Sequence, residues 1–193
     1  LGTANLSLSL AFASYINCEN RNEKDSCGSC SSCSKMDKLI HPDVNYIFPV
    51  APTTKINKEV VSDKFIEAWR ASIIDSPYLS VDDWFESYGF ENKQPNISKD
   101  EVRNLVKKLT LKPFEARFKI NIIWLPEYLH LSTSNAMLKI LEEPPGETLF
   151  FLVTNNHQKL IQTIKSRVQM FKIRRFEERE MKNYLTKNNE ISE

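Results

Sequence analysis

The stretch Asn135-Ala-Met-Leu-Lys-Ile-Leu-Glu-Glu-Pro-Pro145 decides how this chain folds, together with the apolar run Leu149 to Val153, the polar Thr154-Asn155-Asn156 and Ser166-Arg167 that follow it. Ala136, Met137, Ile140 and Leu141 recur at one-turn spacing, which predicts a helix. Pro144 and Pro145 cannot continue it, because proline has no N–H to donate and its ring clashes with the preceding turn. Leu149 to Val153 predicts a short strand with no solvent face, as in a parallel sheet covered on both sides. The polar residues at its carboxyl end lie where open α/β sheets place their ligand crevice. Arg167 follows the apolar turn Leu160, Ile161, Ile164 and precedes a predicted strand over Val168 to Ile173, which puts it at an exposed edge.

Outward from this segment, a first helix is expected over Ser7 to Tyr15, and further strands over Val44 to Val50 and Lys119 to Trp124. The fold class is therefore α/β, a parallel sheet flanked by helices. Between the last two strands lies an insertion at about 51–97, rich in short helices. Ser62 precedes Phe65, Ile66 and Trp69, and Ser80 precedes Val81, Trp84 and Phe85, as helix starts do. Ser98 with Glu101 has the spacing of a capping box, and Val102, Leu105, Val106 and Leu109 then mark one helical face. Trp69, Tyr78, Trp84, Phe85 and Tyr88 read as packing of the insertion rather than a base-stacking surface, since no basic stripe is interleaved with them.

All four cysteines, Cys18, Cys27, Cys30 and Cys33, are spaced C-x8-C-x2-C-x2-C. Such spacing fits four thiolates converging on one tetrahedral zinc, with Cys18 at the end of the first helix. A disulfide framework would need an oxidising compartment, and a redox C-x-x-C would leave two cysteines unexplained. Structural zinc, serving fold stability, is the expectation. His41 could substitute as a ligand, but four thiolates already complete the shell, and it reads as a loop residue leading into the strand at Val44.

The chain has 193 residues and a net charge of +1, enough to bury one core and part of another. Nearly balanced charge does not point to a protein that coats nucleic acid alone. No apolar run is long enough to span a membrane, so no membrane partner and a cytoplasmic location are expected.

Taken in order from residue 4 to about residue 175, these features resemble the clamp-loader branch of the AAA+ family. There Leu-Glu-Glu-Pro-Pro precedes the sensor strand, and Ser-Arg-Cys carries an arginine finger. Here Ser166-Arg167-Val168 lacks the cysteine. Collinearity with the cysteine module and His41-Pro42-Asp43 makes the match specific. The resemblance implies an AAA+ core over 1–175 that lacks its first strand, carries a zinc module at 18–33 and the insertion at about 51–97, and leads into a small helical lid domain at 176–193. That strand is expected upstream of Leu1, and the rest of the lid and a collar beyond the last residue, so the chain is expected to be a fragment.

The resemblance also locates what is missing. A phosphate-binding loop needs glycines so that backbone N–H groups can approach the phosphates, a lysine to neutralise them, and a hydroxyl to hold magnesium. The chain has only Gly2, Gly28, Gly89 and Gly146, none followed by lysine. Aligned with the family's first helix, Ala4, Asn5 and Leu6 stand where Gly, Lys and Ser/Thr belong. Trp124 and Leu125 occupy the two acidic Walker B positions that would hold magnesium and polarise water. Glu127 as a displaced acid is the weaker alternative to an exposed helix-start glutamate. Thr154 and Asn155 fall at the sensor position and are expected only to hold the strand end.

With both lesions, neither ATP nor magnesium is expected, and the chain resembles the delta prime family of DNA polymerase III. The resemblance implies a rigid stator that supplies Arg167, with Ser166, in trans to a neighbouring ATPase subunit. Implied partners are the gamma/tau ATPase subunits, the delta subunit, the sliding clamp, and primed DNA through the complex. Two alternatives stay open: a gamma/tau-type ATPase motor, and a zinc-dependent DNA-binding adaptor on a degenerate AAA+ core.

Overall fold

The computed structural model describes residues 4–90 and 92–187. Its elements run α1 (Asn5–Asn17), α2 (Ser31–Asp37), β1 (Val44–Ile47), α3 (Ile66–Asp75), α4 (Val81–Ser87), α5 (Lys99–Leu109), β2 (Lys119–Trp124), α6 (Leu131–Glu142), β3 (Thr148–Val153), α7 (Gln162–Lys165) and α8 (Glu178–Lys187). Single 3-10 turns lie at Ser62–Phe65, Pro126–Tyr128 and His157–Lys159.

The sheet follows from the branched and aromatic residues of β2. It pairs in parallel with β1 on one side and β3 on the other, with Val44 opposite Ile120 and Trp124 opposite Val153. All six residues of β2 are buried. The period of two along this strand divides the interior into two cores. Ile120, Ile122 and Trp124 face one side, where they meet Leu6 and Ala13 of α1, Met36 of α2, and Trp69 and Trp84 of the insertion. Ile123 faces the other, against Val102, Leu105 and Leu109 of α5, Met137 and Leu141 of α6, and Ile164 of α7. Asn121 also lies on that buried strand, where its Oδ1 accepts from Asn45 Nδ2 at 2.9 Å, so the polar pair bonds across β1 and β2.

α1 is tied at both ends. Asn5 Nδ2 donates to the Thr154 carbonyl at 3.2 Å, and Asn17 Nδ2 to the Phe118 carbonyl at 3.1 Å. Its amino terminus thus sits at the carboxyl end of the strands and its carboxyl terminus at their start. Phe12 stacks on Phe151 across one face of β3, with ring centroids 5.6 Å apart.

The insertion packs through its aromatics, as expected of Trp69 and Trp84, both 0% exposed. Phe48 stacks on Trp69 at 4.8 Å and meets Trp84 edge-on at 5.4 Å. The Trp84 indole N–H donates to the Pro49 carbonyl. Tyr78 is instead half-exposed, against Phe176. Ser80 begins α4 in a full capping box with Asp83.

Several expectations need correction. β3 is half-buried over Thr148–Leu152 rather than free of a solvent face, because it is an edge strand among the described residues. Val168 to Ile173 forms no strand: no neighbour among the described residues supplies a hydrogen-bonded edge, and Met170 and Phe171 stand exposed. The first strand stops at Ile47, since Pro49 has no N–H, and Val50 makes only an isolated antiparallel bridge with Asn96. Ser98 begins α5 but forms no capping box. Its hydroxyl donates to the Val60 carbonyl, and the Glu101 carboxylate accepts instead from the backbone N–H and hydroxyl of Ser62. Val106 turns outward, 41% exposed. Residues 1–3 and 188–193 of the two expected domains lie outside the described residues.

Candidate functional site

At the carboxyl end of the sheet, where phosphate chemistry is expected in this architecture, the central strand ends in two apolar side chains. Trp124 closes β2 at 2% exposure. Leu125 then takes a left-handed conformation, φ 59° and ψ 55°, and donates its N–H to the Val153 carbonyl at 2.8 Å. That turn, strained for a side chain with a Cβ, buries Leu125 to 1% exposure in the same core as Trp124. Trp124 and Leu125 are thus both apolar packing.

At the start of α1, Ala4 is the helix cap and gives no side-chain hydrogen bond to it, Asn5 is bonded to Thr154, and Leu6 is 6% exposed in the first core. Asn5 Oδ1 is buried without a protein partner. Asn5 thus presents a neutral amide whose N–H is engaged with the loop after β3.

Glu127 is more than an idle helix-start residue. One carboxylate oxygen accepts the backbone N–H groups of Asn155 and Asn156, at 3.0 and 3.2 Å. Thr154 Oγ1 accepts from the Asn156 N–H at 3.0 Å. Glu127, Thr154 and Asn5 together fix the loop that follows β3. Sequence reasoning missed this use of Glu127 because the partners are main-chain groups, which carry no sequence signal.

Ser166 and Arg167 follow α7, which is anchored by Ile164 at 1% exposure. Arg167 is half-buried and ion-paired. Its Nη2 pairs with the Glu142 carboxylate at the end of α6, and its Nη1 donates to the Thr163 carbonyl at 2.9 Å and to Ser166 Oγ at 3.4 Å. The side chain keeps 27% of its surface exposed.

The cysteine cluster stands apart from both. Cys18 caps α1, Cys30 caps α2, Cys33 lies within it, and Cys27 sits in the turn between. All four sulfurs lie within 4.8 Å of one another, with Cys18 to Cys30 and Cys27 to Cys33 at 4.0 Å. Four thiolates about 2.3 Å from a tetrahedral zinc would stand about 3.8 Å apart, so the spacing fits such an ion and is far too long for disulfides. The N–H groups of Cys27, Cys30 and Cys33 donate to the sulfurs of Cys18, Cys27 and Cys30 at 3.2 to 3.4 Å. Such bonds stabilise thiolates and orient ligands. Hydrogen bonds from the Ser29 and Cys30 backbone bring the Cys27 thiol down to about 6, while burial lifts Cys33 to about 12. His41 is not in the cluster: its Nδ1 accepts from the Asp43 N–H at 3.1 Å. The arrangement is a metal site compatible with zinc.

Comparison with known proteins agrees with this architecture. The family model described as "DNA polymerase III, delta subunit" matches residues 1–177. A DNA polymerase III subunit delta' from Buchnera aphidicola (Schizaphis graminum) is 39% identical over 92 residues, covering 47% of this chain and 27% of the relative. The subunit gamma from the same organism is 35% identical over 86 residues, covering 45% and 24%. The subunit tau of Bacillus subtilis is 38% identical over 80 residues, covering 42% and 14%. The chain thus spans about a quarter or less of the length of these relatives. A solved gamma subunit-related protein from Thermotoga maritima is 36% identical with a TM-score of 0.38, covering 38% of this chain and 25% of that one. With its family model matched along residues 1–177, the chain belongs to the DNA polymerase III delta-subunit family, a clamp-loader family of the DNA replication machinery.

Proposed function

We propose that the chain is part of a non-catalytic, delta prime-like clamp-loader subunit that helps place the sliding clamp on primed DNA and presents Arg167 to the ATP of a neighbouring subunit. The observation that carries this reading is the burial of Trp124 and Leu125 in the two positions where an ATPase needs acids. On this reading Trp124 and Leu125 supply no carboxylate for magnesium and Asn5 no ammonium, so among the described residues these positions cannot stabilise charge on a nucleotide of the chain's own. Its chemical contribution is then the guanidinium of Arg167, backed by Ser166, acting in trans. The partners on this reading are the gamma/tau ATPase subunits, the delta subunit and the clamp, with primed DNA met through the complex, in the cytoplasm. Residues 1–175 are the core, and α8 belongs to the beginning of a lid domain at 176–193.

Zinc at Cys18, Cys27, Cys30 and Cys33 has a structural role on this reading, with four protein ligands leaving no open position for chemistry. Those residues join the end of α1 to α2.

A gamma/tau-type motor remains the second reading, because relatives of that name match at 31 to 38% identity. The deciding experiment is DNA- and clamp-stimulated ATP turnover by a loader reconstituted from full-length chains. Arg167→Ala is expected to reduce turnover by about tenfold or more with assembly intact. The full-length chain alone is expected to bind no ATP with magnesium; micromolar affinity would favour the motor.

A further inference from the structure

We propose that Glu142 is a positioning residue for Arg167: it holds the guanidinium in the orientation in which the arginine meets the phosphate of the neighbouring subunit. This rests on the function proposed for Arg167.

Glu142 is the last residue of α6, ahead of Glu143 and the pair Pro144-Pro145 that ends the helix. A carboxylate there is poorly placed for the helix itself, since the carboxyl end of the macrodipole is negative and disfavours a further negative charge. Its compensation comes from outside the helix, from Arg167 Nη2. Glu143, one residue on, is exposed and pairs with no cation among the described residues. Of two adjacent acids at one helix end, only one is thus turned toward the arginine.

The arginine is held on a second side by its own turn. Nη1 donates to the Thr163 carbonyl at 2.9 Å, and Nε is buried. α7 cannot shift freely beneath it, because Ile164 is locked into the core formed with Met137 and Leu141 of α6. The pair therefore joins two elements that share one core. Nη1 donates to both Thr163 and Ser166, and Nη2 gives one of its two N–H groups to Glu142. The other Nη2 N–H remains for a phosphate oxygen. A free arginine carries considerable side-chain rotamer entropy, much of which would be lost on meeting a phosphate. Restraint by Glu142 and Thr163 removes part of that loss beforehand, which is the sense in which a pre-oriented charge aids a transition state.

Ion pairs at partly exposed sites contribute little to stability, because solvent screens them. Glu142 has 49% of its side chain exposed, so its replacement is expected to leave fold and assembly intact while loosening the arginine.

The test is ATP turnover of the loader reconstituted from full-length chains, stimulated by primed DNA and clamp, with assembly checked by size-exclusion chromatography. Glu142→Ala should lower kcat roughly three- to tenfold, less than loss of the arginine finger itself, with KM for ATP unchanged. Glu142→Asp should recover part of the loss, and Glu143→Ala should match wild type. Glu142→Ala combined with Arg167→Ala should be no slower than Arg167→Ala alone, because Glu142 acts only through that arginine. Wild-type turnover in Glu142→Ala beside a slow Arg167→Ala would overturn the proposal. A rise in turnover would also overturn it, making Glu142 a restraining latch, and so would a double variant slower than Arg167→Ala. If Arg167→Ala itself turns over like wild type, the trans role of the arginine fails and this inference fails with it, a pattern that no other outcome produces.

Discussion

The indole rings of Trp124 and Trp69 lie with centroids 6.1 Å apart and planes inclined by 53°, so the end of the central strand packs against the first helix of the insertion. Trp69 in turn stacks on Phe48. Trp124 is the link between the sheet and the inserted helices.

This link makes introduction of an acid destructive. Trp124→Asp would remove a large buried side chain and place a carboxylate in an apolar core, so a loss of at least about 4 kcal/mol is expected. Trp124→Phe should lose much less, because most of the volume is kept. Urea unfolding of the two variants gives the comparison, and a Trp124→Asp protein as stable as Trp124→Phe would show that the ring is not part of the core.

Glu101 predicts a dependence of stability on pH. Burial pushes its carboxyl up to about 7 from an ordinary 4.5, although the hydrogen bonds from Ser62 pull the other way. Below about pH 4.5 the group is protonated in folded and unfolded chains alike. Between 4.5 and 7 the unfolded chain releases the proton while the folded chain retains it, so folding loses stability as pH rises, by about 3 kcal/mol in all. Above 7 the loss is complete and constant. Glu101→Gln should remove this component, so its stability relative to wild type should climb across that window in urea titrations. A difference that stays flat from pH 4.5 to 7 would place the Glu101 carboxyl at its ordinary value.

For the cysteine cluster, protein purified without chelator is expected to carry one zinc per chain by elemental analysis. Its removal should speed amide hydrogen exchange over residues 18–37, while β1, β2 and β3 stay protected, because the sheet takes its stability from the two apolar cores and not from the sulfurs. Replacing Cys27 by Ser should reproduce the effect. Equal exchange with and without metal would leave the cluster without a structural role.

The amino-acid sequence by itself determined the elements whose cause is local. The helix before Pro144-Pro145, the strand Lys119–Trp124, the capped start at Ser80 and the convergence of four cysteines all follow from periodicity, proline chemistry and ligand spacing, which act over a few residues. Tertiary structure decided the partners of polar groups. Glu101 has capping-box spacing from Ser98, yet it bonds to Ser62, far away in sequence, because packing of α5 against the insertion brings that N–H and hydroxyl to a buried carboxylate. Glu127 likewise serves backbone N–H groups after β3, and Arg167 turns onto Glu142 across the junction of α6 and α7. A hydrogen bond or ion pair needs only a short distance between two groups, and distance between segments remote in sequence exists only once the cores have closed. The same reason explains Val168 to Ile173: its apolar content fits a strand, but a strand is made by a neighbouring edge, and none pairs with it among the described residues.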